Sequence, residues 1–501
     1  MTNDQTLQPG GKTIDELRRD IVDVYRADNR PWVIGYSGGK DSTAVLRLIY
    51  ETLSSIPEAE RSKPVFLVSS DTLVETPIVV GLITETLAKL RQSSIDHKLP
   101  FSVPSQVTPK TGETFWANLI GRGYPAPTRQ FRWCTERMKI DPVSAFILDK
   151  VAEFGEVVVV LGSRIAESSS RAQVMKKHKI EGRRLAHHST LPNAFVYTPI
   201  EDWTADDVWE YLFSGPAPWG GDHQALFDLY KDSNAGECPL VLDTSTPSCG
   251  NSRFGCWVCT VVTKDKAMDG LIESGHRWLV PLQQFRNMLY ETTLPENKHK
   301  FRSDKRRSGK VTVVFGDDKQ AKKIFGPYRM DVRKDFLRKL LEAQKIVVID
   351  NPGEPFDLIT KAELEEIRIL WRTDPIEPDW ADSVPKIYAE VFGNEIQWAS
   401  DDDATFSKLE SEVLSQLENR HGIAKELVMK LVELELSMEG LSKRASIFQR
   451  IEDILAQDWG NTEDSVARHT ARGHELIDRD KEEESLSKTY KAVSELLNHA
   501  T

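Results

Sequence analysis

The chain has 501 residues, a hydrophobic fraction of 40%, a charged fraction of 28% and five cysteines. At roughly 150 residues per domain this is about three domains, with enough apolar residues for a sizeable core. The net charge of −12 excludes a coat of non-specific nucleic-acid binding over the whole surface, but not a local basic patch, because binding follows the local field.

The longest aliphatic run, Val157–Leu161, is far short of the ~20 apolar residues a membrane helix needs. The first twenty residues are polar and hold no apolar h-region, so a cytoplasmic protein without membrane attachment is expected. In such a reducing compartment clustered cysteines point to metal, cluster or catalysis. Residues 1–30 read as a polar tail leading into a helix, with Leu17, Ile21 and Tyr25 at helical spacing. Trp32–Tyr36, Val65–Ser69 and Val157–Leu161 read as buried strands, and Asp41–Leu53 as a helix with Val45, Leu46, Ile49 and Leu53 on one face. Strand, helix, strand at this spacing predicts a parallel sheet with crossover helices. Residues 99–127, punctuated by five prolines, read as loops, and Trp203–Leu212 as a further helix. The domain boundaries expected are 1–30 for the tail and first helix, 31–221 for the α/β domain, 222–268 for a cysteine-rich module, 269–400 for a mixed region and 401–501 for a mostly helical C-terminal region. In the last of these, Leu427, Leu431, Leu434, Met438 and Leu441 carry the spacing of a helix–helix seam.

Ser37-Gly38-Gly39-Lys40-Asp41-Ser42 lies between the first strand and the first crossover helix. Glycines let backbone N–H groups approach phosphate oxygens, the helix N-terminus adds partial positive charge, and two serines and a lysine supply further donors. A capped glycine turn would explain the glycines, but not Lys40 and both serines in one loop. The loop is neither the longer G-x-x-x-x-G-K-[ST] loop nor G-x-G-x-x-G.

Four of the five cysteines, Cys238, Cys249, Cys256 and Cys259, have the spacing C-x10-C-x6-C-x2-C. A C-x2-C pair reaches one metal, and two more thiolates nearby complete a four-thiolate shell. Spacing leaves tetrahedral zinc and a [4Fe-4S] cluster both open. Cys134 stands apart, close in sequence to Arg132, Arg137 and Lys139, which would favour its thiolate; a small buried packing residue is the alternative. Between Lys298 and Lys310 seven cations face one acid, Asp304, the densest positive run in the chain; a solvated loop and a surface for nucleic-acid phosphates are both open to it.

Residues 37–42 resemble the pyrophosphatase loop of the adenine-nucleotide alpha hydrolase superfamily, which splits ATP between its α and β phosphates. Further matches follow in order. Asp71-Thr72 with Glu75-Thr76-Pro77 resembles the segment near the nucleotide ribose, and Arg132-Trp133-Cys134-Thr135 with Lys139 and Pro142 the next motif. Gly162-Ser163-Arg164-Ile165-Ala166-Glu167-Ser168 with Arg171 resembles the G-x-R-x-x-E-S-x-x-R signature of phosphoadenosine-phosphosulfate reductases, and Pro199–Thr204 with Asp207-Val208-Trp209 their P-I-x-D-W-T-x-x-D-V-W segment. The catalytic E-C-G ending of those reductases and the Cys-Cys pair of adenylylsulfate reductases are not found in the sequence. With its four-cysteine group placed after the D-W-T segment, the chain resembles the DndC family, the sulfurtransferase subunit of bacterial DNA phosphorothioation.

That resemblance implies a doubly wound α/β ATP pyrophosphatase domain and a [4Fe-4S] cluster on Cys238, Cys249, Cys256 and Cys259. ATP would be held by Ser37, Gly38, Gly39, Lys40, Asp41, Ser42, Asp71, Gly162, Arg164 and Arg171, with Mg²⁺ on the triphosphate. Lys40, Asp41, Cys134 and Arg164 would be catalytic. A cysteine desulfurase, the other Dnd subunits and DNA are the implied partners. A phosphosulfate or adenylylsulfate reductase, a tRNA thiolase and a non-enzymatic zinc-stapled nucleotide sensor are the alternatives.

Overall fold

The structure, a computed structural model, describes residues 7–180, 183–232, 255–315, 320–350, 356–374, 376–379, 381–399, 408–437, 446–460 and 462–498. Helix α1 (Ile14–Arg26) opens with a reciprocal capping box between Thr13 and Glu16, which satisfies two end donors at once. Strand β1 (Trp32–Gly35) leads into α2 (Lys40–Ser55), β2 (Val65–Ser70) into α3 (Pro77–Asp96), and β3 (Ser105–Val107) into a single turn, α4 (Trp133–Thr135), and α5 (Asp141–Phe154). Then follow β4 (Val157–Val160), α6 (Ser169–His178), the hairpin β5 (Ala186–His187) and β6 (Ala194–Tyr197), α7 (Ala205–Phe213) and α8 (Gln224–Asp232). The sheet order is β3-β2-β1-β4-β6-β5. All its pairings are parallel except β5 with β6.

Period-two alternation puts helices on both faces. Val33, Val68, Val157 and Val159 turn to one side, where Val143 and Ile147 of α5 complete a cluster. Trp32 turns to the other, where Tyr25 of α1 meets it edge-on at 5.3 Å. The fold is therefore the expected doubly wound α/β sheet. Strand order reverses at β1 and β4, the point at which open α/β sheets bind ligands beyond the carboxyl ends of their strands. The segment read as loop over 99–127 contains β3 and a helical turn at Ala117–Gly121. Proline punctuation hid a strand only three residues long. The segment expected as a cysteine-rich module from Asp222 begins with α8.

The chain divides into two compact units: 1–115, 126–291 and 340–360 in the first, 116–125, 292–339 and 361–501 in the second. The sheet lies wholly in the first, together with α9 (Lys266–Glu273) and α10 (Val280–Glu291). The second holds α11 (Lys298–Phe301), the antiparallel hairpin β7 (Thr312–Phe315) and β8 (Ala321–Ile324), part of α12 (Met330–Asp350), then α13 (Lys361–Arg372), α14 (Ser383–Phe392), α15 (Lys408–His421), α16 (Lys425–Ser437), α17 (Ile447–Leu455) and α18 (Thr462–Asn498). The C-terminal region is helical, as expected. In α16, Met429 and Leu434 are buried; Met438 and Leu441 of the predicted seam lie outside the described residues. Part of the positive run serves this unit's own backbone. Arg302 donates to the carbonyls of Gly326 (2.7 Å) and Phe325 (2.6 Å), and Arg307 to that of Arg122 (2.6 Å). No described helix is long and apolar enough to cross a membrane.

Arg47 of α2 ties α7 to the first unit's core. It is 4% exposed and donates to the carbonyls of Tyr211 (2.7 Å) and Leu212 (3.0 Å) and to Glu51 (2.8 Å). His223 is buried beside Trp219. Burial, and then the Arg47 charge, push it down to about 4. The unfolded chain takes up this proton near pH 6.5 and the folded chain only near 4, so stability falls as pH drops through that window. The contribution is at most about 1.4 kcal/mol per pH unit. Urea unfolding of wild type and His223→Phe at pH 7, 5.5 and 4.5 should show a shallower loss in the variant; parallel losses would remove His223 as the cause.

Candidate functional site

The loop after β1 is held in shape before any ligand arrives. Gly38 has φ +72°, and a Cβ there would fall 2.4 Å from Cγ1 of Ile83, so glycine is required both by conformation and by space. The Ser37 and Ser42 hydroxyls are 3.1 Å apart. The Ser37 N–H donates to the Ser42 hydroxyl, and the Gly39 N–H to the Ser37 hydroxyl. Gly39 is the N-cap of α2 and its carbonyl accepts from the hydroxyls of Ser42 (3.0 Å) and Thr43 (2.9 Å). Lys40 is 3% exposed. Its N–H donates to the phenol oxygen of Tyr230 (3.2 Å), and its Nζ lies 3.4 Å from Asp41 Oδ2.

Gly162 follows β4 and touches this loop. A Cβ there would stand 2.8 Å from the Asp41 carbonyl carbon and 2.9 Å from the Ser42 nitrogen. Two residues on, Arg164 is fully buried. Its Nε donates to Asp41 Oδ1 at 2.6 Å and its Nη1 to the Trp203 carbonyl at 3.2 Å. Arg171 pairs with Glu167, and its N–H takes the Ser168 hydroxyl as the cap of α6. Both arginines meet a carboxylate of this chain, Arg164 that of Asp41 and Arg171 that of Glu167.

A second group of side chains gathers beyond β2. The Leu73 N–H donates to Asp71 Oδ1 at 2.8 Å; burial, with a smaller push from Glu75, raises the Asp71 carboxyl. Thr72 Oγ1 donates to Glu75 Oε1 (3.0 Å), and Lys139 Nζ lies 3.2 Å from the same oxygen. Here the chain returns: Glu75 pairs with Cys256 in an antiparallel bridge, and the Trp257 N–H donates to the Val74 carbonyl at 3.0 Å. Cys256 Sγ consequently sits 3.4 Å from Thr72 Oγ1 and 3.8 Å from Glu75 Oε1. Burial pushes its thiol well up, with Glu75 and Cys134 adding to the rise while Lys139 and Thr72 oppose it.

Cys259 closes a turn on Cys256, N–H to carbonyl at 3.0 Å. Its own carbonyl accepts from Arg286 Nε at 2.9 Å, and the same buried guanidinium donates to the carbonyl of Thr263 at 2.8 Å. Cys134, Cys256 and Cys259 are not in disulfides; Cys238 and Cys249 lie outside the described residues. Sequence reasoning missed Tyr230 and Arg286. Neither sits in a motif, and only chain folding brings them to the loop and to the cysteine turn.

Removing one partner of a buried ion pair strands the other charge, at about 3–5 kcal/mol. Lys40 Nζ stays 3.4 Å from Asp41, so Arg164→Met should lower unfolding free energy by less than that, about 1–3 kcal/mol, and Asp41→Asn in the same chain should recover part of it. Denaturant titration of the two variants checks this, and additive losses would deny the coupling.

Residues 31–261 match the profile of the phosphoadenosine phosphosulfate reductase domain. An uncharacterized protein of Methanocaldococcus jannaschii is 26% identical over 219 residues, 43% of this chain and 39% of its own length, so the chain spans about two-fifths of that curated relative. Among solved structures, the U34-tRNA thiolase NcsA from Methanococcus maripaludis with its 4Fe-4S cluster aligns at a TM-score of 0.28 and 14% identity, over 58% of this chain and 83% of that one. Candida glabrata FMN adenylyltransferase in complex with FMN and an ATP analogue aligns at 0.24 and 14%, over 40% and 56%. With the profile match and the parallel sheet together, residues 31–261 are similar to the phosphoadenosine phosphosulfate reductase domain.

Proposed function

We propose that this chain is an ATP-dependent sulfurtransferase that inserts sulfur into the DNA backbone, activating a phosphate oxygen by adenylylation. The observation that carries the reading is the bridge between Glu75 and Cys256. It sets a half-buried thiol beyond the end of β2, while the glycine loop leaves the end of its parallel neighbour β1. A phosphate-binding loop and a thiol thus share one edge of one sheet. The DNA substrate rests on the resemblance of the four-cysteine spacing to the DndC family and on the positive run from Lys298 to Lys310.

In this reading the loop amides, Ser37, Ser42 and Lys40 hold the triphosphate, with Mg²⁺ accompanying it as counter-ion. A non-bridging oxygen of a DNA phosphate attacks the α-phosphorus and pyrophosphate leaves. Arg164 keeps Asp41 and the first turn of α2 fixed against the strand ends, so that the donors stay preorganised. Cys134 receives a persulfide from a cysteine desulfurase. The terminal sulfur attacks the activated phosphorus and expels AMP. A small-molecule thiol then cleaves the remaining S–S bond, releasing the phosphorothioate, and a second thiol reduces the mixed disulfide. The donor set also fits an iron–sulfur cluster: Cys256 and Cys259 stand on one tight turn with thiols outside any disulfide, and Cys238 and Cys249 would complete the set. When bound, the cluster supplies iron with high affinity for sulfur.

The test of the activity combines ATP, cysteine, a cysteine desulfurase, the Dnd partner subunits and plasmid DNA. The wild-type protein should release pyrophosphate and yield phosphorothioate-linked dinucleotides after nuclease digestion. Lys40→Ala should do neither while keeping its thermal unfolding. Normal pyrophosphate release in that variant would exclude the loop; sulfite formed from a sulfonucleotide, with DNA unmodified, would favour a reductase.

For the metal, protein purified without oxygen should contain about four irons per chain. Cys256→Ser should lose most of the iron and the brown absorbance. Stoichiometric zinc without iron would reject the cluster.

A further inference from the structure

We infer that Tyr230 is an internal stopper of the phosphate loop, occupying the position of a phosphate oxygen until a nucleotide displaces it and loosens α8. The inference rests on the ATP reading of the loop. The first N–H groups of a helix lack acceptors within the helix, and for that reason they bind anions. At the start of α2 the N–H of Lys40 instead donates to the Tyr230 hydroxyl at 3.2 Å, in a buried contact between groups far apart in sequence. The Lys40 side chain is engaged by the same residue, with Nζ 5.4 Å from the centroid of the Tyr230 ring. Both Lys40 groups that a phosphate would use thus face one tyrosine.

A phosphate oxygen bonded to that N–H must occupy the place of the phenol oxygen. A charged oxygen is the stronger acceptor, so the exchange favours the ligand. Tyr230 does not leave alone. It is 8% exposed and meets Trp209 of α7 edge-on at 5.2 Å. Phe227, one turn earlier on α8, meets Trp209 at 5.2 Å and Phe213 at 5.1 Å. The Tyr230 ring is therefore one of the buried anchors of a nine-residue helix, beside Leu226 and Leu229, and evicting it weakens the docking of α8 on α7. While the stopper is seated, the apparent affinity for nucleotide is reduced by the fraction of molecules that are closed.

Tyr230→Phe keeps the ring against Trp209 and removes only the oxygen. It should bind ATP and inorganic pyrophosphate about three- to tenfold more tightly, the worth of one intramolecular hydrogen bond, as read by calorimetry. In the wild-type protein, hydrogen exchange should slow over residues 37–42 and quicken over 224–232 when either ligand is added. Unchanged or weaker binding by Tyr230→Phe, or protection of the loop with exchange of α8 unchanged or slowed, would overturn the stopper and leave the ATP reading standing. No protection of the loop by either ligand would overturn the ATP reading and the stopper with it.

Discussion

The buried pair between Arg164 and Asp41 is the contact on which the glycine-loop edge of the sheet depends. One guanidinium joins three pieces of chain: the loop leaving β4, the first turn of α2, and the carbonyl of Trp203 ahead of α7. Both partners are buried, so their mutual attraction is only weakly screened. The cost of burying the arginine is met by hydrogen bonds at both ends, the condition under which a buried pair is tolerated. Gly162 makes the pair geometrically possible, because only a residue without a Cβ lets the strand end reach the Asp41 backbone. The loop is thereby braced from β4, across the point where the strand order reverses.

Around that brace the sheet presents two chemistries at one edge. Beyond β1 lie backbone N–H groups, two hydroxyls and a buried lysine, a set suited to oxyanions. Beyond β2 lie a carboxylate, a lysine, a threonine and a thiol, drawn together when the chain returns at Cys256 and pairs with Glu75. The cysteine turn is secured from behind, since Arg286 takes the carbonyl of Cys259. Parallel strands place both groups on the same side of the fold without any further device, because every strand of the parallel run ends at that edge.

Much of this was legible in the sequence. The three aliphatic runs became β1, β2 and β4 within a residue at each end, since a strand buried on both faces must be apolar throughout. The glycine loop was legible because its residue types are required locally, Gly38 by its backbone angle and Ser37 and Ser42 by their bonds across the turn. The signature around Arg164 announced a site without disclosing its partner. That partner, Asp41, comes from a different βα unit, and nothing in the spacing links the two.

What the sequence by itself determined, then, is the set of elements and the chemistry each carries: a parallel α/β sheet, a phosphate-type loop and a group of thiols. These follow from local periodicity, glycine conformation and residue type. Tertiary structure alone decided which residues meet. It turned Arg164 to Asp41 and Arg171 to Glu167, brought Cys256 to Thr72 and Glu75, and set the Tyr230 hydroxyl on the N–H of Lys40. Such pairings depend on the register of strands and the docking of helices. Both are fixed by the packing of the whole domain, and a pattern read along one stretch of chain does not contain it.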